Sequence, residues 1–278
     1  MVHKKTFQEF AVKRLASDGI EPECRKRIEV EMQIFARLQH KYIVKLHEVF
    51  RDPESMHLVM DLCLGGDLMD YLMGWWSDKR HPERMDAQRQ HRCKGLPWQE
   101  VVPLLWQMLA SIAYLHHHRF CHRDIKLENF MLQAADLEVP GLRLVDFGMS
   151  ILVRPGQILS ESVGTLMYMA PEVLASQYNE KCDIWSLGIC AYILCLKTNP
   201  YGDEQSRDAE VLASTIFSNM RGGWPDCDKP TELRSLVDRL MTYDPALRPG
   251  AKQMLKESTW LKKHGKPNRL AAGCCSVQ

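Results

Sequence analysis

The chain has 278 residues, 45% of them hydrophobic and 26% charged, and its formal net charge at pH 7 is +1. This balance is ordinary for a soluble globular protein and gives no reason to expect nucleic acid as a partner. The N-terminus lacks the apolar core that a secretory signal needs, and the longest apolar run, residues 187–196, is about half of what crosses a bilayer as a helix. The ten cysteines contain no Cys-x-x-Cys pair, so we expect reduced thiols and a cytoplasmic protein.

In chain order, strand-like alternation comes first and helical spacing dominates later. Residues 7–14 alternate as a strand would, and Pro22 opens a helical stretch to about residue 37. The order predicts an α+β fold with two lobes, a small N-lobe of sheet plus helix over residues 1–60 and a large, mainly helical C-lobe over residues 61–264. The other predicted elements are strands over 43–50 and 56–62 and helices over 98–117, 181–196, 208–220, 231–241 and 251–257.

Two segments do not follow this pattern. Residues 74–97 hold Trp75 and Trp76 among many charges and show no clear period. This segment is either a solvated insertion loop or a loop that docks a partner. The residues from Gly265 onward are small, polar and basic, which predicts a flexible tail over residues 265–278.

The segment His-Arg-Asp-Ile-Lys-Leu-Glu-Asn carries the strongest chemical signal. It places Asp124, Lys126 and Asn129 on one loop, and Asp146 of Asp-Phe-Gly follows 17 residues after Asn129. Phosphoryl transfer needs an acceptor for the hydroxyl proton, a cation near the moving phosphate and oxygen ligands for magnesium. These four side chains have the chemistry to supply all three.

Both motifs, in this order, resemble those of the eukaryotic protein kinases. The resemblance covers residues 2–264 and implies a two-lobed kinase fold, ATP and Mg2+ as cofactors, and protein substrates. In the terms of that family, Asp124 would be the catalytic base and Lys126 the cation that neutralises the phosphate. Asn129 and Asp146 would be the magnesium ligands.

Further landmarks of the same family mark a nucleotide site. Lys13 in Phe-Ala-Val-Lys resembles the family's Val-Ala-Ile-Lys lysine, and Glu31 on the first helix would be its counter-charge. The run Leu-Val-Met-Asp-Leu-Cys resembles the strand that leads into the hinge between the lobes. Met60 would be the gatekeeper there, and the backbone of Asp61 and Cys63 would face adenine.

The activation segment also resembles that of the family. Lys126 and Thr165 match the serine/threonine kinases rather than the tyrosine kinases. Glu161 lies four residues before Thr165, where many kinases carry a phosphorylated threonine, so we expect it to pair with Arg123. Glu161 could instead be a solvated loop residue.

Three acidic residues outside these motifs also receive roles from the resemblance. Glu172 in Ala-Pro-Glu would pair with Arg248, and Asp183 would accept backbone N–H bonds from the catalytic loop. Asp67 occupies the place where related kinases bind a substrate arginine, which favours basic substrates. A helix-capping role for Asp67 is about as well supported.

One expected landmark is missing from the sequence given. A kinase carries G-x-G-x-x-G on the hairpin before the Lys13 strand, but the 12 residues that precede Lys13 contain no glycine. We therefore expect the N-lobe of the sequence given to lack the first strand hairpin. Two interpretations follow: an active kinase of which this sequence is a truncated part, or a catalytically impaired, kinase-shaped scaffold.

Within the superfamily, the resemblance extends to the calcium/calmodulin-dependent and calcium-dependent protein kinases. It is carried by Gly-Thr-Leu-Met-Tyr-Met-Ala-Pro-Glu-Val-Leu and Tyr-Asn-Glu-Lys-Cys-Asp-Ile-Trp-Ser-Leu-Gly. No Asp-x-Asp-x-Asp-Gly loop of an EF-hand occurs in the chain, so direct calcium sensing is not expected.

The last four residues, Cys-Ser-Val-Gln, fit a prenylation motif centred on Cys275, with Cys274 as a candidate for palmitoylation. One lipid chain binds membrane only marginally, so a second chain or a basic approach is needed, and the sequence offers both. Peripheral membrane contact through this tail and an unmodified disordered end both remain open.

Overall fold

The structure is a computed structural model, and it describes residues 2–16, 36, 38–52, 55–75, 95–134, 141–200, 211, 214–215, 218 and 223–266. The helix predicted over 22–37, which contains Glu31, and the helix predicted over 208–220 lie outside the described residues apart from isolated positions. Residues 76–94 and 267–278, which include Cys274 and Cys275, also lie outside them.

The N-terminal part of the described chain is an antiparallel sheet. Its strands are β1 (Phe10–Ala16), β2 (Leu46–Arg51) and β3 (Ser55–Asp61), in the order β1-β3-β2. The first strand was predicted over 7–14 and begins later, because Phe7 has φ +55° and belongs to a turn that an isolated bridge between Val2 and Glu9 closes. The sheet ends at Asp61, where the chain leaves for the helical part.

The remaining described chain is mainly helical, with two short two-stranded ladders. Helix α4 (Lys181–Leu196) runs through the centre and is buried nearly all round, because its sequence is apolar on every side. Strand β4 (Phe120–Cys121) pairs with β7 (Ile151–Leu152), and β5 (Phe130–Leu132) pairs with β6 (Leu142–Leu144). The loops that hold the candidate site are connected to these two ladders. The other elements are α1 (Leu68–Gly74), α2 (Trp98–His117), α3 (Pro171–Leu174), α5 (Thr231–Leu240), α6 (Ala251–Glu257) and α7 (Thr259–Gly265).

Two predicted segment boundaries need correction. Gly265 was assigned to the tail, but it is the last residue of α7 and is buried, with its backbone against Val102 and Trp106 of α2. The insertion predicted over 74–97 begins and ends in the core: Trp75 is buried, and the buried Leu96 donates its N–H to the carbonyl of Leu194 at 2.8 Å. No helix among the described residues has the length and apolarity needed to span a bilayer.

Candidate active site

The Asp124 carboxylate is held by three other side chains. Thr165 Oγ1 donates to Asp124 Oδ1 at 2.8 Å, and Lys126 Nζ lies 2.9 Å from Asp124 Oδ2. Asn129 Nδ2 donates to Asp124 Oδ2 at 3.2 Å and to its main-chain carbonyl at 2.8 Å. Three residues from two separated segments therefore fix one carboxylate in one orientation.

This arrangement keeps the carboxylate charged. Burial acts to raise the pKa of Asp124, but hydrogen bonds from Lys126 and Thr165 and the charge of Lys126 outweigh burial. The pKa of Asp124 therefore lies below its ordinary value, and the group is ionised at neutral pH. An ionised carboxylate can accept a proton from a substrate hydroxyl.

A glycine allows the activation segment to approach the catalytic loop this closely. Gly164 has φ +110°, and a Cβ atom there would lie 2.4 Å from the carbonyl oxygen of Arg123. The next residue, Thr165, accepts a hydrogen bond from Lys126 Nζ at 3.0 Å while donating its own to Asp124. Any larger residue at 164 would push Thr165 away from both partners.

Asp146 lies beside this loop in a strained backbone conformation, with φ +58°. Its Oδ1 is 2.6 Å from Lys13 Nζ, and the N–H of Val145 donates to the carbonyl of Asn129 at 2.9 Å. Burial acts to raise the pKa of Asp146, but the hydrogen bond and charge of Lys13 outweigh it, so the pKa lies below its ordinary value. The Phe147 ring packs edge-on against His122, at 5.1 Å between centroids.

The donor set fits Mg2+. The side-chain N–H2 of Asn129 donates to Asp124, so the amide oxygen of Asn129 is available as a ligand for a cation. The ionised carboxylate of Asp146 is the second oxygen donor, and Mg2+ prefers such hard oxygen ligands. The predicted ligands Asn129 and Asp146 are thus on neighbouring loops joined by the Val145–Asn129 hydrogen bond.

A fully buried carboxylate accepts hydrogen bonds from the backbone of the catalytic loop. Asp183, in the first turn of α4, accepts the N–H of His122 at 2.8 Å and the N–H of Arg123 at 2.9 Å. His116 Nε2, at the end of α2, lies 2.9 Å from Asp183 Oδ2. Arg123 has φ +67°, a conformation that a non-glycine residue keeps only when its surroundings fix it.

The activation segment is tied to the catalytic loop and to the chain that follows it. Arg123 Nη1 lies 3.0 Å from Glu161 Oε2, so the pair expected from the spacing is present in the structure. Tyr178 donates its hydroxyl proton to the carbonyl of Glu161 at 2.6 Å, and its main chain pairs with Leu159. Glu161 is therefore held through both its side chain and its backbone.

A second ion pair closes the end of the activation segment. Arg248 Nη1 and Nη2 lie 2.5 and 3.1 Å from the two carboxylate oxygens of Glu172. The Arg248 side chain is fully buried, and it also donates to the carbonyls of Lys181, Thr242 and Tyr243. The predicted Glu172–Arg248 contact is thus a bidentate, buried pair.

The residues predicted to bind the nucleotide lie on strands β1 and β3 or directly after β3. Met60 lies on the central strand β3, opposite Ala11 of β1, and Asp61 ends that strand. Cys63 comes two residues later, and partial burial raises the pKa of its thiol. Lys13 of β1 reaches across to Asp146, whereas its predicted partner Glu31 lies outside the described residues.

Two contributors to the site were not found from the sequence. His116 supports Asp183 from 67 residues away, and Tyr178 holds Glu161 from 17 residues away. Neither belongs to a motif with a spacing of its own. Their roles depend on how α2 and the activation segment pack, which residue types alone do not reveal.

The comparisons with known proteins agree with this geometry. The family model described as "Protein kinase domain" matches residues 1–261. Calcium-dependent protein kinase 8 of Arabidopsis thaliana is 30% identical over 275 residues, which is 97% of this chain and 47% of that protein. Calcium-dependent protein kinase 4 of Plasmodium falciparum is 30% identical over 261 residues, 93% of this chain and 46% of that protein. Serine/threonine-protein kinase 33 of Bos taurus is 31% identical over 273 residues, 94% of this chain and 51% of that protein.

The chain therefore belongs to the protein kinase family. Its fold is the two-lobed α+β kinase fold that the sequence predicts. The chain spans about half the length of the curated relatives it matches.

Proposed function

We propose that this chain transfers the γ-phosphoryl group of ATP, with Mg2+, to serine or threonine hydroxyls of protein substrates. The observation that carries the proposal is the Asp124 carboxylate, ionised and fixed between Lys126, Thr165 and Asn129. A carboxylate held in this way can accept a hydroxyl proton without first reorganising.

Each remaining polar group of the site has a part in the proposed reaction. Lys126 Nζ, which contacts Asp124 and Thr165, would neutralise charge on the phosphoryl group as it moves. Asn129 and Asp146 would hold Mg2+, which neutralises the charge of the phosphates when bound. Lys13, in contact with Asp146, would bind the phosphates from the sheet side.

The test combines binding with turnover. Purified protein is incubated with radiolabelled ATP, Mg2+ and a serine/threonine peptide library, and its thermal unfolding is measured with and without Mg-ATP. The proposal expects peptide labelling and an increase in unfolding temperature, both reduced in Asp146→Asn. A kinase-shaped scaffold without nucleotide binding would show neither the labelling nor the thermal shift, and that result would reject the proposal.

We extend the proposal to basic substrates, on the strength of Asp67. Its Oδ1 accepts the N–H of Asp70 at 2.8 Å and caps α1, so the cap and the charge need separate tests. Asp67→Asn retains a capping oxygen but removes the charge. If the charge selects substrates, this variant loses its preference for arginine-containing peptides over alanine-substituted ones while its thermal stability stays the same. An unchanged preference would leave Asp67 with the cap alone.

A further inference from the structure

A β-bulge lies at the hinge end of the sheet. The register between β2 and β3 shifts between Leu46 and Glu48, so His47 is the extra residue. Bulges redirect side chains, and His47 Nε2 lies 2.6 Å from Asp61 Oδ1. The carboxylate oxygen accepts in this contact, so His47 Nε2–H is the donor.

Asp61 is bound from the same segment through its other polar atoms. Its Oδ2 accepts the N–H of Lys45 at 3.4 Å, and its own N–H donates to the carbonyl of Lys45 at 3.1 Å. Residues 45–47 therefore hold the main chain and both carboxylate oxygens of the last residue of β3.

The imidazole that forms this contact is itself fixed. The ring of Phe10 packs edge-on against His47, with 4.9 Å between centroids and an interplanar angle of 72°. Phe10 is also the residue that pairs with Asp61 across β1 and β3. One cluster of Phe10, His47 and Asp61 thus joins all three strands at the point where the chain leaves the sheet.

We infer that His47 is a positioning residue for nucleotide binding, which holds Asp61 so that the hinge backbone is already set for adenine. The inference rests on the proposed function and on the expectation, from the resemblance to kinases, that the backbone of Asp61 and Cys63 faces adenine. Without the clamp, the hinge samples more conformations, and ATP binds only the fraction with the correct backbone. The affinity for ATP then falls, while the chemistry at Asp124 is unaffected once ATP is bound.

The experiment separates the KM for ATP from kcat. His47→Ala is expected to raise the KM for ATP by about threefold to tenfold, with kcat and the KM for peptide unchanged. His47→Gln retains an N–H donor and is expected to restore most of the affinity. Titration calorimetry with Mg-ATP measures the same loss as a dissociation constant, without turnover.

The chain offers a matched control in a second histidine–aspartate pair on the same sheet. His57 Nε2 lies 2.8 Å from Asp52 Oδ2, away from the hinge, so His57→Ala is expected to leave the KM for ATP unchanged. A double-mutant cycle with Asp61→Ala then tests the contact itself. Asp61→Ala also removes the contact with the Lys45 N–H, so it should raise the KM at least as much as His47→Ala, and the double variant should be no worse than Asp61→Ala alone.

The outcomes distinguish this inference from the proposed function. An active wild-type protein whose KM for ATP is the same in His47→Ala overturns the inference alone, as does a loss in His47→Gln equal to that in His47→Ala. A wild-type protein that neither binds Mg-ATP nor labels peptides overturns the proposed function, and the inference falls with it. If His47→Ala fails to fold, the KM for ATP is compared among Asp61→Ala, His47→Gln and the control His57→Ala. A KM raised in Asp61→Ala but not in His47→Gln or His57→Ala supports the inference, and equal values in all three overturn it.

Discussion

Arg123 and Glu161 form an ion pair that joins the catalytic loop to the activation segment, with 3.0 Å between Nη1 and Oε2. The guanidinium is mostly buried and also donates to the carbonyl of Met149. The Glu161 carboxylate thus occupies the position at which the resemblance to the kinases would predict a phosphorylated threonine.

This pair predicts activity without phosphorylation of the activation segment. Phosphatase treatment is expected to leave peptide phosphorylation unchanged, and Glu161→Ala is expected to lower it roughly twofold to tenfold, because the Arg123 contact is lost. Ser160→Ala and Ser162→Ala serve as controls and should keep wild-type activity. A large loss on phosphatase treatment, reproduced by either serine substitution, would contradict the prediction.

The second prediction concerns the catalytic base. Asp124→Asn is expected to lower kcat by about a hundredfold to ten-thousandfold, because an amide cannot accept the hydroxyl proton. The amide can still bond to Thr165 and Asn129, so the thermal unfolding temperature should change little. Steady-state kinetics and thermal unfolding of the same preparation check both parts. A variant that phosphorylates peptides at the wild-type rate would remove Asp124 from the mechanism.

The third prediction concerns the stability provided by the Glu172–Arg248 pair. Arg248→Leu leaves a largely buried carboxylate unpaired, which is expected to lower the free energy of unfolding by about 3–5 kcal/mol. Arg239→Leu removes a similar but exposed pair with Glu257, and its unfolding should match the wild type. Urea unfolding followed by tryptophan fluorescence compares the two. Equal effects of the two substitutions would mean that burial does not determine the strength of these pairs.

The fourth prediction is a pH dependence of stability from Asp183. Burial acts to raise its pKa, but the hydrogen bond with His116, the neighbouring His116 and His122 imidazoles and the backbone N–H of His122 together outweigh burial and lower the pKa below its ordinary value. A carboxyl with a lowered pKa stabilises the fold above its unfolded pKa, and this stabilisation is lost as the pH falls through the folded pKa.

Above pH 5, the free energy of unfolding of the wild type should therefore be higher than that of Asp183→Asn by at least about 1.5–3 kcal/mol. This difference in stability should become smaller below about pH 4. Chemical unfolding of both proteins across this pH range measures the difference. Glu48→Gln, which changes an exposed carboxylate on β2, is the control and should follow the wild type at every pH. A difference between wild type and Asp183→Asn that stays constant to the lowest pH would assign the effect to shape rather than charge.

Helix boundaries were the part of the fold most accessible to sequence reasoning. Helix α2 follows Pro97, and α4 ends before Lys197, whose φ of +58° ends the helix, so both predicted ranges are confirmed. Helix α5 ends one residue earlier than predicted. Helix α7 was not predicted as an element, although Ser258 caps it by accepting the N–H of Leu261.

Site residues were found where motif and chemistry coincide, and missed where a partner is distant in sequence. Asp124, Lys126 and Asn129 share one loop, so their spacing alone brings them together. The contact of His47 with Asp61 depends on a one-residue bulge, which no pattern of residue types specifies. Register and packing decide such contacts, and they emerge only when the sheet is assembled.

The position of Asp183 has a consequence for how the molecule opens. The amide protons of His122 and Arg123 point into a carboxylate that is buried in the first turn of α4, so exchanging them with solvent requires the helical lobe to come apart around it. Hydrogen exchange at these two amides should then be as slow as in the middle of α4, although they lie on a loop. The catalytic loop would then not open locally, and every folded molecule in solution would hold this loop in the conformation described.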